Sequence, residues 1–219
     1  MYLLTLFHSY FNNMYKFNTP TLTVRNFKIF KGMIEPAQQS EIVNNLREVV
    51  RQAPMFSPIT PSGYKMTVKM TSAGKYGWYS DVSGYRYVDC HPGGKPWPNI
   101  PPLILGLWRK LISDTRDPDC CLVNYYQDGA KMGLHQDKDE ADFKWPVLSI
   151  SLGDDALFRI GNIERTGKTE SVWLNSGDVV IMGESARLAH HGIDRIKTGT
   201  SRLLDKGGRI NLTLRVVDA

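Results

Sequence analysis

Val147-Leu-Ser-Ile-Ser-Leu-Gly-Asp-Asp155, followed by Ala156–Ile160, Ser171–Leu174 and Val179–Met182, sets the reading of the whole chain. The apolar runs, with Val147–Leu152 as the first, are four to six residues long, rich in β-branched and apolar side chains, and closed by turn-forming residues. The same texture extends outward. Cys121–Tyr126 ends in an Asp-Gly turn and is followed by Met132–Gln136, and Arg209–Val217 closes the series. Short strands separated by frequent turns describe a sandwich or a barrel. Two β-rich, helix-poor halves fit a jelly roll.

Helices belong to the first half. Leu22–Phe30 reads as one β-rich stretch ending at Gly32. Pro36 then opens a helix with Ile42, Leu46, Val49 and Val50 on one face, ending before Pro54. Residues 54–63 hold three prolines and a glycine and read as a loop. Tyr64–Met70, the surroundings of Trp78, and Tyr85–Val88 suggest short strands joined by glycine turns. After the proline-rich segment Pro96–Pro102, Leu103–Ile112 is apolar at helical spacing. The first twenty residues differ, with six of the 23 aromatic side chains and a single basic residue, Lys16. They lack the long apolar stretch and cleavage site of a secretory signal. Residues 1–20 are expected to be an appendage, Met14 offers an alternative start, and residues 21–219 form one domain.

Composition narrows the class. With 219 residues, 42% hydrophobic and 22% charged, the chain can bury a full core and is neither disordered, fibrous nor coiled coil. No apolar run approaches the ~20 residues of a bilayer-spanning helix. Two of the three cysteines, Cys120 and Cys121, are adjacent, which suits a reduced cytoplasmic protein better than a disulfide scaffold. The excess of 27 basic over 22 acidic residues gives +5, a balance suited to a polyanion such as nucleic acid.

Three segments carry chemistry. In Leu134-His135-Gln136-Asp137, a strand would aim His135 and Asp137 the same way. About 0.3 such pairs arise by chance in this composition, so the pair needs support. His190 and His191, at the end of an apolar strand-like run, supply it, and one of the two can face inward. Two histidines and a carboxylate are the facial triad of non-haem Fe(II) oxygenases, which leaves three coordination positions open. In Arg209-Ile-Asn211-Leu-Thr-Leu-Arg215, the two arginines and the amide share one strand face. That pattern is expected about 0.04 times by chance. A guanidinium fork grips carboxylates bidentately, so two of them near a metal suggest a dicarboxylate cosubstrate. Asn124 and Tyr126 share a strand face immediately upstream of His135.

From Gly63 to Arg215 the chain resembles the AlkB family of iron- and 2-oxoglutarate-dependent dioxygenases. The likeness is carried by Asn124-Tyr-Tyr126 with Gly129-Ala-Lys131, Leu134-His-Gln-Asp-Lys-Asp-Glu140, Ser149-Ile-Ser-Leu-Gly153 and Arg209–Arg215. Gly63-Tyr64-Lys-Met66, Gly77-Trp78, Gly84-Tyr85-Arg-Tyr87 and Lys95-Pro-Trp-Pro98 resemble the family's substrate lid. Together they point to its bacterial DNA-repair branch. The resemblance implies a mostly β, α+β fold: a double-stranded β-helix over about residues 120–217, flanking helices, and a nucleotide-recognition lid over about 60–100. It implies Fe(II) held by His135, Asp137 and His191. It implies 2-oxoglutarate bound by Arg209 at its distal carboxylate, with Arg215, Asn211, Asn124 and Tyr126 completing that pocket. It further implies that Asp139 meets the damaged base, Trp78 stacks on it, and Tyr85 and Lys131 meet the phosphate backbone. A cationic alkylated base suits both a carboxylate and an indole face. The residues alone also allow Trp78 as ordinary core, Tyr85 as an ordinary strand residue and Asp139 as a solvated turn. Near the third ligand the chain departs from the pattern, with His190 where the family has an aromatic and a one-residue shift through Met182–Arg187.

The implied activity is oxidative removal of N-methyl groups, as in 1-methyladenine or 3-methylcytosine, consuming O2 and 2-oxoglutarate and releasing formaldehyde, succinate and CO2. The expected partner is alkylated single-stranded DNA, with RNA as an alternative, for a monomer without an obligate protein partner or a membrane. Two rivals stand beside it: the same chemistry on tRNA, protein or a small metabolite, and a non-catalytic nucleic-acid-binding jelly roll with a structural metal.

Overall fold

The computed structural model describes residues 19–112 and 116–219. The expected N-terminal appendage lies almost wholly outside the described residues. The strands are β1 (Leu22–Val24), β2 (Phe27–Phe30), β3 (Lys69–Gly74), β4 (Gly77–Asp81), β5 (Gly84–Val88), β6 (Cys120–Tyr126) and β7 (Met132–His135). They continue with β8 (Val147–Gly153), β9 (Asp155–Ile160), β10 (Glu170–Leu174), β11 (Val179–Met182), β12 (His191–Lys197) and β13 (Arg209–Arg215). Among the described residues there are also two α-helices, α1 (Pro36–Gln52) and α2 (Pro102–Leu111). A seven-stranded sheet runs β1-β2-β11-β8-β13-β6-β3, and a four-stranded sheet runs β10-β9-β12-β7. The pair β4–β5 belongs to neither. Every strand pairing is antiparallel. This is the expected jelly roll with flanking helices.

Period-two alternation divides the major sheet into two faces. Val123, Ile150, Ile181, Leu212 and Leu214 join one apolar cluster with Ile42, Leu46 and Val49 of α1 and Ile104, Leu107 and Trp108 of α2. Each such side chain contributes roughly 1.5–3 kcal/mol when fully buried. The helix α1 starts where the sequence requires: Pro36 needs no donor at the first position, and the Glu35 amide donates to Gln38 Oε1 at 3.2 Å. The opposite face holds Leu122, Tyr126, Val180 and Met182, packed with Phe158 and Ile160 of the minor sheet. Polar residues of that inner face have only the space between the sheets to occupy, and they build the site.

The structure refines one reading of the sequence and revises three others. The β-rich stretch Leu22–Phe30 is a hairpin, because Arg25 (φ 46°) and Asn26 (φ 66°) make a two-residue turn of the type that matches strand twist. The strand read at Tyr64–Met70 lies at Lys69–Gly74, in register with β6 from Tyr125 back to Cys120. Residues 64–68 form a loop, held by bonds such as Met66 N to Pro58 O at 2.9 Å. The histidine pair does not end an apolar strand. A 3-10 turn (Glu184–Ala186) intervenes, and His191 opens β12. That strand was hidden because its seven residues include four charged or glycine positions, and a bulge between Ile193 and Arg195 breaks the alternation. Finally, β7 stops at His135, so Asp137 stands beyond the strand rather than on it.

Candidate active site

His135 ends β7 and His191 begins β12, and the two are directly paired across the minor sheet. Their ring centres lie 4.6 Å apart. Gly192 permits this approach, because a Cβ there would lie 2.6 Å from Met132 O and 2.8 Å from Gly133 O. Asp137 bends back beside them, with its carboxylate oxygens 3.8 Å from each Nε2. One candidate ligand atom from each residue lies within 4.8 Å of the others. Each imidazole sets Nδ1 on a carbonyl, His135 on Gly133 at 2.9 Å and His191 on Ala189 at 3.1 Å. Protons held there leave both Nε2 lone pairs for a metal. Asp137 Oδ2 is buried with no hydrogen-bond partner, while Oδ1 pairs with Arg215 at 2.8 Å. A buried carboxylate oxygen left without a donor is costly, and a divalent cation among two imidazole nitrogens answers that need. The donor set therefore fits Fe(II).

Charge is arranged to the same end. Burial pushes the Asp137 carboxyl up, but Arg215 and the two histidines outweigh it and hold it well below the usual carboxylate range. Burial, then the neighbouring His135, lowers the His191 imidazole to about 4. Both effects keep the ligands unprotonated at neutral pH. His190, the other member of the doublet, is half-buried, its Nδ1 3.2 Å from Asn162 O.

On the inner face of the major sheet, Arg209 is 1% exposed. It donates to Ser151 Oγ at 3.0 Å, while Nε and the other terminal nitrogen have no partner. Its guanidinium sits 5.3 Å over the Tyr126 ring. Burial lowers its affinity for the proton and pushes the Tyr126 phenol up to about 12. A cation this deep with unmade donors calls for an anion. Asn124 Oδ1, on the adjoining strand, is also unpartnered. Asn211 is already engaged, donating to Ser149 Oγ at 2.7 Å and Ile150 O at 3.1 Å and accepting from Thr213, so it braces this wall. Arg215 faces Glu140 as well as Asp137.

A cavity of about 400 Å³ joins the triad, this wall and the β4–β5 hairpin. Trp78 and Tyr85 stack at 5.4 Å between ring centres, and the Trp78 indole donates to Asp139 Oδ2 at 3.1 Å. All three line the cavity. The hairpin is anchored at its base, where Gly77 lies against the Trp97 ring and Trp97 Nε1 donates to Val88 O at 2.9 Å. Lys131 stands apart from these. It is exposed, outside the cavity wall, with its backbone near Thr67. Sequence reasoning gave no role to Tyr87, Glu140, Arg165 or Arg187. The first three line the cavity, and Arg187 is buried behind it. Glu140 and Tyr87 lie inside quoted segments and Arg187 at the end of the shifted one, but none was singled out, because burial of a charge is not written in spacing.

Comparison with known proteins agrees with this chemistry. The family model of the 2OG-Fe(II) oxygenase superfamily matches residues 26–215. The alpha-ketoglutarate-dependent dioxygenase AlkB homolog of Caulobacter vibrioides is 51% identical, with 90% of each chain covered. The alpha-ketoglutarate-dependent dioxygenase AlkB of Escherichia coli is 38% identical over 80% of this chain and 83% of its own. The solved structure of OsALKBH1 superposes with a TM-score of 0.78 at 30% identity, covering 90% of this chain and 99% of that one. A closed structural metal site has no open coordination position, and it has no use for the buried, unpaired Arg209. The inert-module alternative falls, and the chain belongs to the AlkB family of Fe(II)- and 2-oxoglutarate-dependent dioxygenases.

Proposed function

We propose that this enzyme removes N-methyl groups from alkylated bases of single-stranded DNA, with cationic 1-methyladenine and 3-methylcytosine as the preferred class. The observation that carries the reading is the continuity of one cavity from the triad to an indole, a phenol and a carboxylate at the hairpin. A flat base made cationic by alkylation fits that combination: an aromatic face attracts a cation, and Asp139 pairs with it. The names of the relatives support the substrate class, among them an Arabidopsis protein, 30% identical, called a DNA N(6)-methyladenine demethylase.

His135, Asp137 and His191 hold the iron. Arg209, with Ser151 and Tyr126 beside it, takes the distal carboxylate of 2-oxoglutarate, and Arg215 and Asn124 face the other end. When bound, iron and 2-oxoglutarate supply the oxidation in which one atom of O2 enters succinate, with loss of CO2, and the other enters the methyl group. The hydroxymethyl product then leaves as formaldehyde. The chain's own part is to orient and exclude. The β4–β5 hairpin acts as a lid, with Trp78 stacking on the base, Tyr85 and Lys131 meeting flanking phosphates, and Phe158 and Met182 keeping water from the wall behind. A base must leave its stack to enter, which costs least in single strands. Three free cysteines among the described residues support a reducing, cytoplasmic setting.

The test is formaldehyde release from a 1-methyladenine or 3-methylcytosine oligonucleotide supplied with Fe(II), ascorbate and 2-oxoglutarate. Asp139→Ala is expected to lower demethylation at least tenfold while substrate-free 2-oxoglutarate decay persists. Absence of formaldehyde from DNA, with turnover of a methylated RNA, peptide or metabolite, sinks the DNA assignment.

A further inference from the structure

Beside the metal ligands lies a group of buried charges of which only Arg215 has a place in the proposed reaction. Glu140 Oε1 accepts from the Tyr87 hydroxyl at 2.6 Å and faces Arg215 Nε at 3.3 Å. Its Oε2 accepts from Arg187 at 2.9 Å. Arg215 also donates to the Tyr87 oxygen at 3.3 Å and pairs with Asp137 Oδ1 at 2.8 Å. Arg187 donates to the Asp137 carbonyl at 2.5 Å and the Trp145 carbonyl at 2.9 Å. The side chains of Glu140, Arg187 and Arg215 are 1%, 3% and 7% exposed.

Three separate parts of the fold meet at this one carboxylate. Tyr87 comes from β5, on the hairpin, Arg215 from the last strand, and Arg187 from the segment four residues before His191. Both arginines end on Asp137, one on its side chain and one on its backbone. Packing alone does not account for the arrangement, since apolar residues fill such a volume at lower desolvation cost. If the hairpin lifts, Glu140 Oε1 loses the Tyr87 hydroxyl, its neutral donor. The carboxylate then draws Arg215 toward itself and away from Asp137.

We propose that Glu140 is a positioning residue that links the seating of the hairpin, through Tyr87, to the orientation of Asp137, through Arg215 and Arg187. Occupancy of the hairpin by a nucleic acid strand and binding of 2-oxoglutarate beside Asp137 are thereby coupled, and the coupling is reciprocal. The inference rests on the lid reading above and adds the residues that transmit it.

The experiment is an anaerobic titration of 2-oxoglutarate into the Fe(II) protein, followed by its visible charge-transfer absorbance, with and without an unmodified single-stranded oligonucleotide. In the wild type, the oligonucleotide is expected to tighten 2-oxoglutarate by about fivefold or more, the low end of ordinary site-to-site coupling. Tyr87→Phe keeps the ring and the fold, lowers the melting temperature by a few degrees through the lost hydrogen bond to a charged group, and should bring the factor close to one. Glu140→Gln should do the same. In the metal-free protein, hydrogen exchange of amides 136–140 should quicken in Tyr87→Phe together with those of residues 84–88. Survival of the wild-type factor in Tyr87→Phe, or a wild type that binds the strand without any coupling, overturns the relay alone. A wild type that fails to bind a labelled strand by fluorescence anisotropy overturns the lid reading as well.

Discussion

His191 is the residue through which acid first reaches the metal-free fold. Its imidazole is lowered to about 4 by burial and by His135, whereas in the unfolded chain it titrates near 6.5. Between those values the unfolded state takes up a proton that the folded state refuses. Stability is therefore full above about pH 6.5 and falls on acidification toward 4, by at most about 1.4 kcal/mol per pH unit. Asp137 acts in the same direction at lower pH. Its carboxyl is depressed in the fold, so its contribution persists above its unfolded value and is lost as the pH drops below it. Melting curves of metal-free protein from pH 7 to 4.5 should show this slope, and His191→Gln should flatten it. Arg209 makes a second residue-level prediction. Lysine has one compact charge where the site presents a buried fork, so Arg209→Lys should raise KM for 2-oxoglutarate roughly 10- to 100-fold. That corresponds to the ~1.5–3 kcal/mol of a hydrogen bond to a charged group. A KM within twofold of wild type would remove Arg209 from the cosubstrate clamp.

At the level of elements, the pairing of β7 with β12 fixes where the two histidines stand. Gly192→Ala drives a methyl group into the carbonyl oxygens of Met132 and Gly133, and backbone cannot yield as a side-chain tip can. Because Gly133 O also anchors His135 Nδ1, the two strands should part at the ligands. The expected result is a loss of about 1–3 kcal/mol of stability and a 10- to 100-fold weaker Fe(II) affinity, read by calorimetry and metal titration. The sequence made β13 and β6 legible because their alternation is clean: Arg209, Asn211 and Arg215 face inward while Ile210, Leu212 and Leu214 pack on the helices. It concealed β12, where charge and a bulge break the period, and the Arg25-Asn26 turn, where a two-residue reversal lacks glycine. The triad was found through the right residues for a partly wrong reason, since Asp137 converges from beyond the strand end rather than along it. Tyr87 and Arg187 were not legible, because their roles depend on which distant segments the folded chain brings against Glu140.

For the molecule as a whole, the +5 charge predicts how the substrate arrives. Binding of a single strand through about three phosphates should weaken roughly 20-fold between 50 and 200 mM salt. The proposed 2-oxoglutarate pocket, buried around Arg209, should change far less across that range. Measuring KM for both substrates at the two salt concentrations checks the difference, and equal responses would mean that the strand is not held by its backbone. The hairpin β4–β5 stands outside both large sheets, anchored by Trp97 at its base, with Val82 exposed at its tip. An insertion in β13 would misplace the core and the clamp together, whereas added residues at that tip disturb neither. Diversification within such a scaffold therefore has one inexpensive address: new preferences can be tried at the end of a two-stranded arm while the oxidising machinery is inherited unaltered.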